Sequence, residues 1–296
     1  MPDPSRMPVE SGSGKVQKGN PLDPKLTEVQ RVPSGRPKLS LVAVVLAVTI
    51  IVLAIQLPPS SVLGKADMVG YAICHRIPER SFFFNGRQLP LCARCTGTFL
   101  GAVLGLATML LLGRRRASRL PSVPILGMLV LFTGIWGFDG LNSYLTFFPG
   151  APHLYEPRNW LRLTTGLLNG LTLIVFIFPI FNFTLWREPT GERVIKSPWE
   201  LLVLLPVVAL LVFVIHGEVV GALLYPLALI SSLGVVMMLT ILNSMIATLV
   251  LGREGYAQNW RQALIPLSVG AALALVEMGG LVALRAYLTT TLGLTF

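Results

Sequence analysis

Charged residues are scarce in this chain. Asp, Glu, Lys and Arg make up 13% of it, about half the fraction usual in a soluble domain. That deficit, with 53% hydrophobic residues and a mean hydropathy of +0.69, excludes a freely soluble fold. Cysteine is scarce too. The three present (Cys74, Cys92 and Cys95) all lie between Tyr71 and Gly101, which excludes a disulfide-dense scaffold. The sequence lacks a phosphate-binding GxxxxGK[ST] loop, a GxGxxG turn after a strand, HExxH and GxSxG. No nucleotide or flavin signal is therefore present. Acidic residues number 14 against 24 basic ones. The short basic run "GRRRASR" fits contact with anionic lipid headgroups rather than nucleic acid.

What the chain does have is long apolar runs. A spanning helix needs roughly 20 consecutive apolar residues, and seven runs approach that length: Leu39–Leu57, Thr96–Leu112, Pro124–Leu145, Thr164–Phe183, Trp199–Ile215, Val219–Leu251 and Ala263–Leu288. The expected fold is all-α, a polytopic transmembrane bundle of about seven spans. Residues 1–38 are rich in Pro, Gly, Ser and charge and cannot bury enough surface to offset ordering entropy, so a disordered basic tail is expected there. The expected organisation is this tail, a first span with its linker over 39–70, a core with the Cys/His loop and three spans over 71–185, and a three-span extension over 186–296. Gly97, Gly101 and Gly105, with Gly166 and Gly170, recur every four residues. That spacing lets helix backbones approach closely in lipid, so these two runs are expected to pack at the centre.

Basic residues mark the cytoplasmic side of short loops. Seven fall in the tail, four more at Arg114, Arg115, Arg116 and Arg119 after the second run, and others at Arg187, Arg193, Lys196, Arg253 and Arg261. This pattern predicts a multi-pass cell-membrane protein with a cytoplasmic N-terminus. The cysteine loop and the C-terminus then lie outside. The cysteine loop is discordant, because it carries Lys65, Arg76, Arg80, Arg87 and Arg94 on the side expected to be poor in positive charge.

Those arginines surround the soft ligands of the loop. Cys92 and Cys95 form a CxxC pair at a helix entrance, "NGRQLP" offers a turn that folds Cys74 back, and His75 follows Cys74. Three thiolates and an imidazole make a Cys₃His set suited to a transition metal, zinc first. The net negative charge of such a centre would draw neighbouring arginines. His153 is an alternative fourth ligand. The same atoms allow a redox reading, in which CxxC at a helix N-terminus beside Arg makes a reactive thiol. They also allow a plain disulfide staple. Phe82, Phe83 and Phe84 look like an apolar wedge at the interface.

The stretch "CHRIPERSFFFNGRQLPLCARCTG" resembles the signature of the prokaryotic membrane proteins grouped as domain of unknown function 2085. Asp139–Gly140 and "RNWLRLTTGLLNG" resemble that family's later blocks, so the resemblance covers about residues 71–171. It implies a membrane protein without an established activity. It also implies that Cys74, His75, Cys92 and Cys95 act as one site, and it adds Arg94, Asp139, Arg158, Asn159 and Arg162 as candidates. With Arg80 and Arg87 these form an expected anion- or ligand-binding group. An Asp near a span end needs a partner, and Arg162 is the one expected. Glu277, inside the last run, should face protein or water.

The functional expectation is an integral membrane protein whose exterior Cys/His site binds zinc structurally or to position a ligand. The rivals are a membrane thiol–disulfide oxidoreductase, a small-solute transporter, and an anionic-lipid binder. Membrane lipids are the expected partners, with no nucleic acid. Neither catalysis nor oligomeric state is legible in the sequence.

Overall fold

The computed structural model describes residues 37–148, 150–217 and 221–293. The expected disordered tail lies almost wholly outside these described residues. The first apolar run forms α1 (Pro37–Gln56), and a short amphipathic helix that hydropathy does not announce follows as α2 (Val62–Ile73). Ser61 caps α2 by accepting from the Gly64 N–H at 3.1 Å, which satisfies one of the free donors of the first turn. Then come α3 (Ala93–Leu111), α4 (Val123–Leu145) and α5 (Asn159–Leu185). The fifth run is interrupted at Val203 into α6 (Pro198–Leu202) and α7 (Leu204–His216), and α8 (Gly221–Val250) and α9 (Trp260–Leu292) complete the chain. Six helical segments, with α6 and α7 taken together, are long and apolar enough to cross a membrane, and α1 adds a shorter described stretch over Leu41–Gln56.

Two small sheets modify the all-helical expectation. β1 (Ser81–Phe84) and β2 (Arg87–Cys92) form an antiparallel hairpin. Its two-residue turn, Asn85–Gly86, has φ of 49° and 73°, the left-handed pair that a tight hairpin turn demands and that Asn-Gly supplies most easily. β3 (Ala117–Arg119) and β4 (Thr190–Arg193) pair in parallel, at the opposite end of α3 from the hairpin.

The centre of the bundle is the α3–α5 contact. A Cβ on Gly101 would overlap the Leu167 carbonyl oxygen, and one on Gly170 would overlap that of Thr98. Bare backbone therefore meets bare backbone, as the four-residue glycine spacing predicts. The later helices join this core directly. Gly234 of α8 lies against the Phe99 carbonyl of α3, and Phe84 of the hairpin meets Tyr225 of α8 edge-on at 5.0 Å. Phe82 is buried and only Phe83 of the triplet is largely exposed, so the expected wedge is mostly a packing element. Large apolar side chains stay exposed along α1, α4, α7 and α9, as surfaces facing lipid would.

The "GRRRASR" segment turns out to be built in. Arg114 is buried and pairs with Glu200 of α6, with Nη2 to Oε1 at 2.6 Å, while its Nη1 donates to the Val194 carbonyl at 2.8 Å. Arg116 lies over the Trp186 ring at 4.1 Å.

Candidate metal centre

Both ends of the hairpin deliver a cysteine to one point. Cys74 is the C-cap of α2, Cys92 ends β2 and is the N-cap of α3, and Cys95 lies in the first turn of α3. Two close contacts set this geometry. A Cβ on Gly70 would overlap the Pro90 carbonyl oxygen, so the missing side chain lets α2 lie directly on β2. Arg285 of α9 donates to the Tyr71 and Cys74 carbonyls, each at 2.7 Å, and so satisfies the open C-terminal end of α2 with a positive charge. The chain then reverses at Arg76, whose φ is 51°. Gln88 holds that reversal by donating to the Arg76 carbonyl at 2.7 Å.

The three sulfurs all lie within 4.8 Å of one another. None is in a disulfide, and Cys74 and Cys92 are 4% and 2% exposed. The Cys92 N–H donates to the Cys74 sulfur at 3.3 Å. Hydrogen bonding from the Cys92 thiol, and then from Cys95, holds Cys74 far below the usual thiol range, while donating to Cys74 pushes Cys92 up. Sulfurs sharing one zinc at about 2.3 Å stand roughly 3.5–4 Å apart, so modest side-chain rotation would bring this trio to ligation distance.

Neither histidine joins the sulfurs. The His75 Nδ1 accepts from the Ile77 N–H at 3.0 Å, which leaves the neutral ring with its proton on Nε2 as a donor. Desolvation, then the charges of Arg80, Arg94 and Arg162, push this imidazole below its usual value, partly offset by the Cys74 sulfur. His153 is engaged with Glu156 at 2.9 Å.

Beside the sulfurs lies a cavity of about 160 Å³ lined by His75, Arg80, Cys92, Arg94, Cys95 and Arg162. The expected Asp139–Arg162 pair is replaced. Asp139, 1% exposed, pairs with Arg94, accepts from the Tyr155 hydroxyl at 2.9 Å and lies 3.4 Å from the Thr165 hydroxyl. Arg162 instead donates to the Ser143 hydroxyl at 3.1 Å and the Asn159 side-chain carbonyl at 2.8 Å. Arg94 in the first turn of α3 reaches the Asp139 carboxylate, while Ser143 and Asn159 occupy the Arg162 guanidinium. Asn159 also donates to the Ser81 carbonyl at 3.2 Å, joining α5 to the hairpin. Two expected members stand apart. Arg87 and Arg76 share Asp67 of α2, and Arg158 is exposed at the N-cap of α5. Arg80 was legible as a candidate, but its seat was not. It donates to the Ser143 carbonyl at 2.9 Å and lies 3.8 Å from the centre of the Phe147 ring.

Residues 74–176 match the family model described as "Predicted membrane protein (DUF2085)". That span covers the hairpin, the sulfur trio, the arginine-lined cavity and most of α5. An uncharacterised protein of Methanocaldococcus jannaschii is 30% identical over 116 residues, covering 39% of this chain and 68% of that protein. An uncharacterised protein of Methanothermobacter thermautotrophicus is 38% identical over 103 residues, covering 35% of this chain and 82% of that one. No solved structure matches. The stretch that the family model matches is the one that builds the site, and the chain belongs to the DUF2085 family of predicted membrane proteins.

Proposed function

We propose that Cys74, Cys92 and Cys95 form a metal centre, with zinc as its ion, on the exterior face of a multi-pass membrane protein. One observation carries the reading: three sulfurs, those of Cys74 and Cys92 buried and that of Cys95 partly so, converge from the two sides of a hairpin without a disulfide. Three thiolates are soft donors of the kind zinc takes in structural sites. A divalent ion would displace protons from the thiols that bind it and would tie α2, β2 and α3 together. His75, an N–H donor to this side of the bundle, supports ligand positioning rather than ligation. Cys92 and Cys95 also line the arginine-walled cavity, and an ion held by three sulfurs would have a further position to offer a ligand.

Elemental analysis of the full chain purified in detergent, with thiol counting, tests this. About one zinc per chain is expected, with thiols shielded until a chelator is added. Cys92→Ser and Cys95→Ser should each lower the metal content several-fold. Metal-free protein whose thiols appear only after reduction would replace this reading with the thiol–disulfide one.

A further inference from the structure

The cavity beside the sulfurs has more positive charge than its surroundings compensate. Arg80, Arg94 and Arg162 line it, and Asp139 pairs with Arg94 alone of the three. Among the described residues neither Arg80 nor Arg162 forms an ion pair. Even the one negative charge that three thiolates around a divalent ion would carry leaves the guanidinium groups in excess. One guanidinium charge is still left over. Crowding of like charges in a partly desolvated place is costly: burial, and then the nearby Arg94, lower the Arg80 pKa.

The guanidinium groups are also held from behind. Ser143 of α4 accepts from both outer arginines, its carbonyl from Arg80 and its hydroxyl from Arg162. Thr146 and the Phe147 ring further fix Arg80, and Asn159 fixes Arg162. Arg162 is 6% exposed. Little side-chain entropy remains to be lost when a ligand arrives. The buried Nε of Arg94 has no hydrogen-bond partner in the protein, and an unmet buried donor is costly. A cavity of about 160 Å³ matches the share of roughly five waters at about 30 Å³ each. It is too small for the drug-sized ligands that fill about 300 Å³ or more.

We infer that this cavity binds one tetrahedral oxyanion, phosphate or sulfate, either free or as the headgroup of an anionic lipid. Arg80 and Arg162 grip it with charge-assisted hydrogen bonds. The Arg94 Nε and the His75 N–H supply further donors. The inference stands on the arginines and the cavity, and does not require the metal.

Radiolabelled inorganic phosphate, titrated against the full chain in neutral detergent, is the test. One saturable site per chain is expected. Affinity should fall at least tenfold in Arg80→Gln and in Arg162→Gln, and stay unchanged in Arg158→Gln, whose side chain lies outside the cavity. Arg162 is deeply buried, so thermal unfolding is followed in parallel and the half-exposed Arg80 carries the comparison if Arg162→Gln fails to fold. Cys74→Ser, stripped of metal, should still bind phosphate, and binding there with no metal in the wild type would sink the metal centre while leaving this site standing. In nanodiscs, a tenfold loss of phosphate affinity on adding phosphatidic acid to phosphatidylcholine would identify the lipid headgroup as the source. An unchanged affinity would identify the free anion. Absence of saturable binding in the wild type, or equal affinity in the wild type and Arg80→Gln, would overturn the inference.

Discussion

The Cys92 backbone N–H donates to the Cys74 sulfur at 3.3 Å, across 18 residues of chain. This one bond closes the hairpin arm at its base and gives a buried N–H its partner. Replacing the acceptor should therefore cost more than the lost packing. In chelator-treated protein, Cys74→Ala should lose about 1–3 kcal/mol, the usual cost of stranding a buried donor. Cys74→Ser, which keeps an acceptor, should lose less. Thermal unfolding in detergent, followed by circular dichroism, ranks the two.

Glycines on opposite faces of the bundle should respond in opposite directions. Gly170→Ala forces a methyl into the Thr98 carbonyl, and such overpacking typically costs about 1–3 kcal/mol. Gly127, in α4, has open space where a Cβ would go. Gly127→Ala should be neutral or stabilise the helix by about 0.5–1 kcal/mol. Equal effects at the two positions would mean that the α3–α5 contact is not a backbone contact.

Arg114 is 7% exposed and Glu200 21% exposed at the side chain. Glu200→Ala leaves a buried guanidinium without its carboxylate, which should cost about 3 kcal/mol. The double variant Arg114→Met with Glu200→Ala should recover much of that loss. A double variant no more stable than Glu200→Ala would contradict the pairing.

Asp139 accepts from Tyr155 while it neutralises Arg94. Asp139→Asn keeps a hydrogen-bonding side chain but removes the charge, and leaving Arg94 uncompensated should destabilise the protein by about 2–4 kcal/mol. Tyr155→Phe should cost about 1 kcal/mol. Unfolding midpoints of the two variants in one detergent would check the order.

His153 titrates through its contact with Glu156. That hydrogen bond, followed by one at the Ala151 backbone, raises the imidazole pKa above its ordinary value. A raised folded-state value means that the contribution is complete below about pH 6.5 and fades as pH rises through the folded value. The His153 NMR signal should titrate above that reference, and Glu156→Gln should bring it down. A midpoint unmoved by the substitution would contradict the assignment.

Hydropathy made the long spans legible, and glycine spacing marked which two would touch. Cysteine spacing and the Asn85–Gly86 turn placed three sulfurs together before any coordinates. Other features were hidden for physical reasons. α2 has 12 residues, too short for a hydropathy signal. Phe82 to Phe84 looked like one apolar surface, because strand alternation within three identical residues leaves no pattern to read. The partner of Asp139 is Arg94, 45 residues away, and residue types alone do not say which of two nearby arginines reaches it. Arg80 reaches Ser143 across 63 residues, a contact that neither spacing nor composition could suggest.

The bare contact between α3 and α5 has a mechanical consequence. α3 carries Arg94 and Cys95, α5 carries Arg162, and at Gly97, Gly101, Gly166 and Gly170 the two rods meet backbone to backbone. One wall of the cavity is thereby fixed. The other wall, with His75 and Arg80, is tied to α4 through Ser143, Thr146 and Phe147, so a guest meets a cavity braced on both sides.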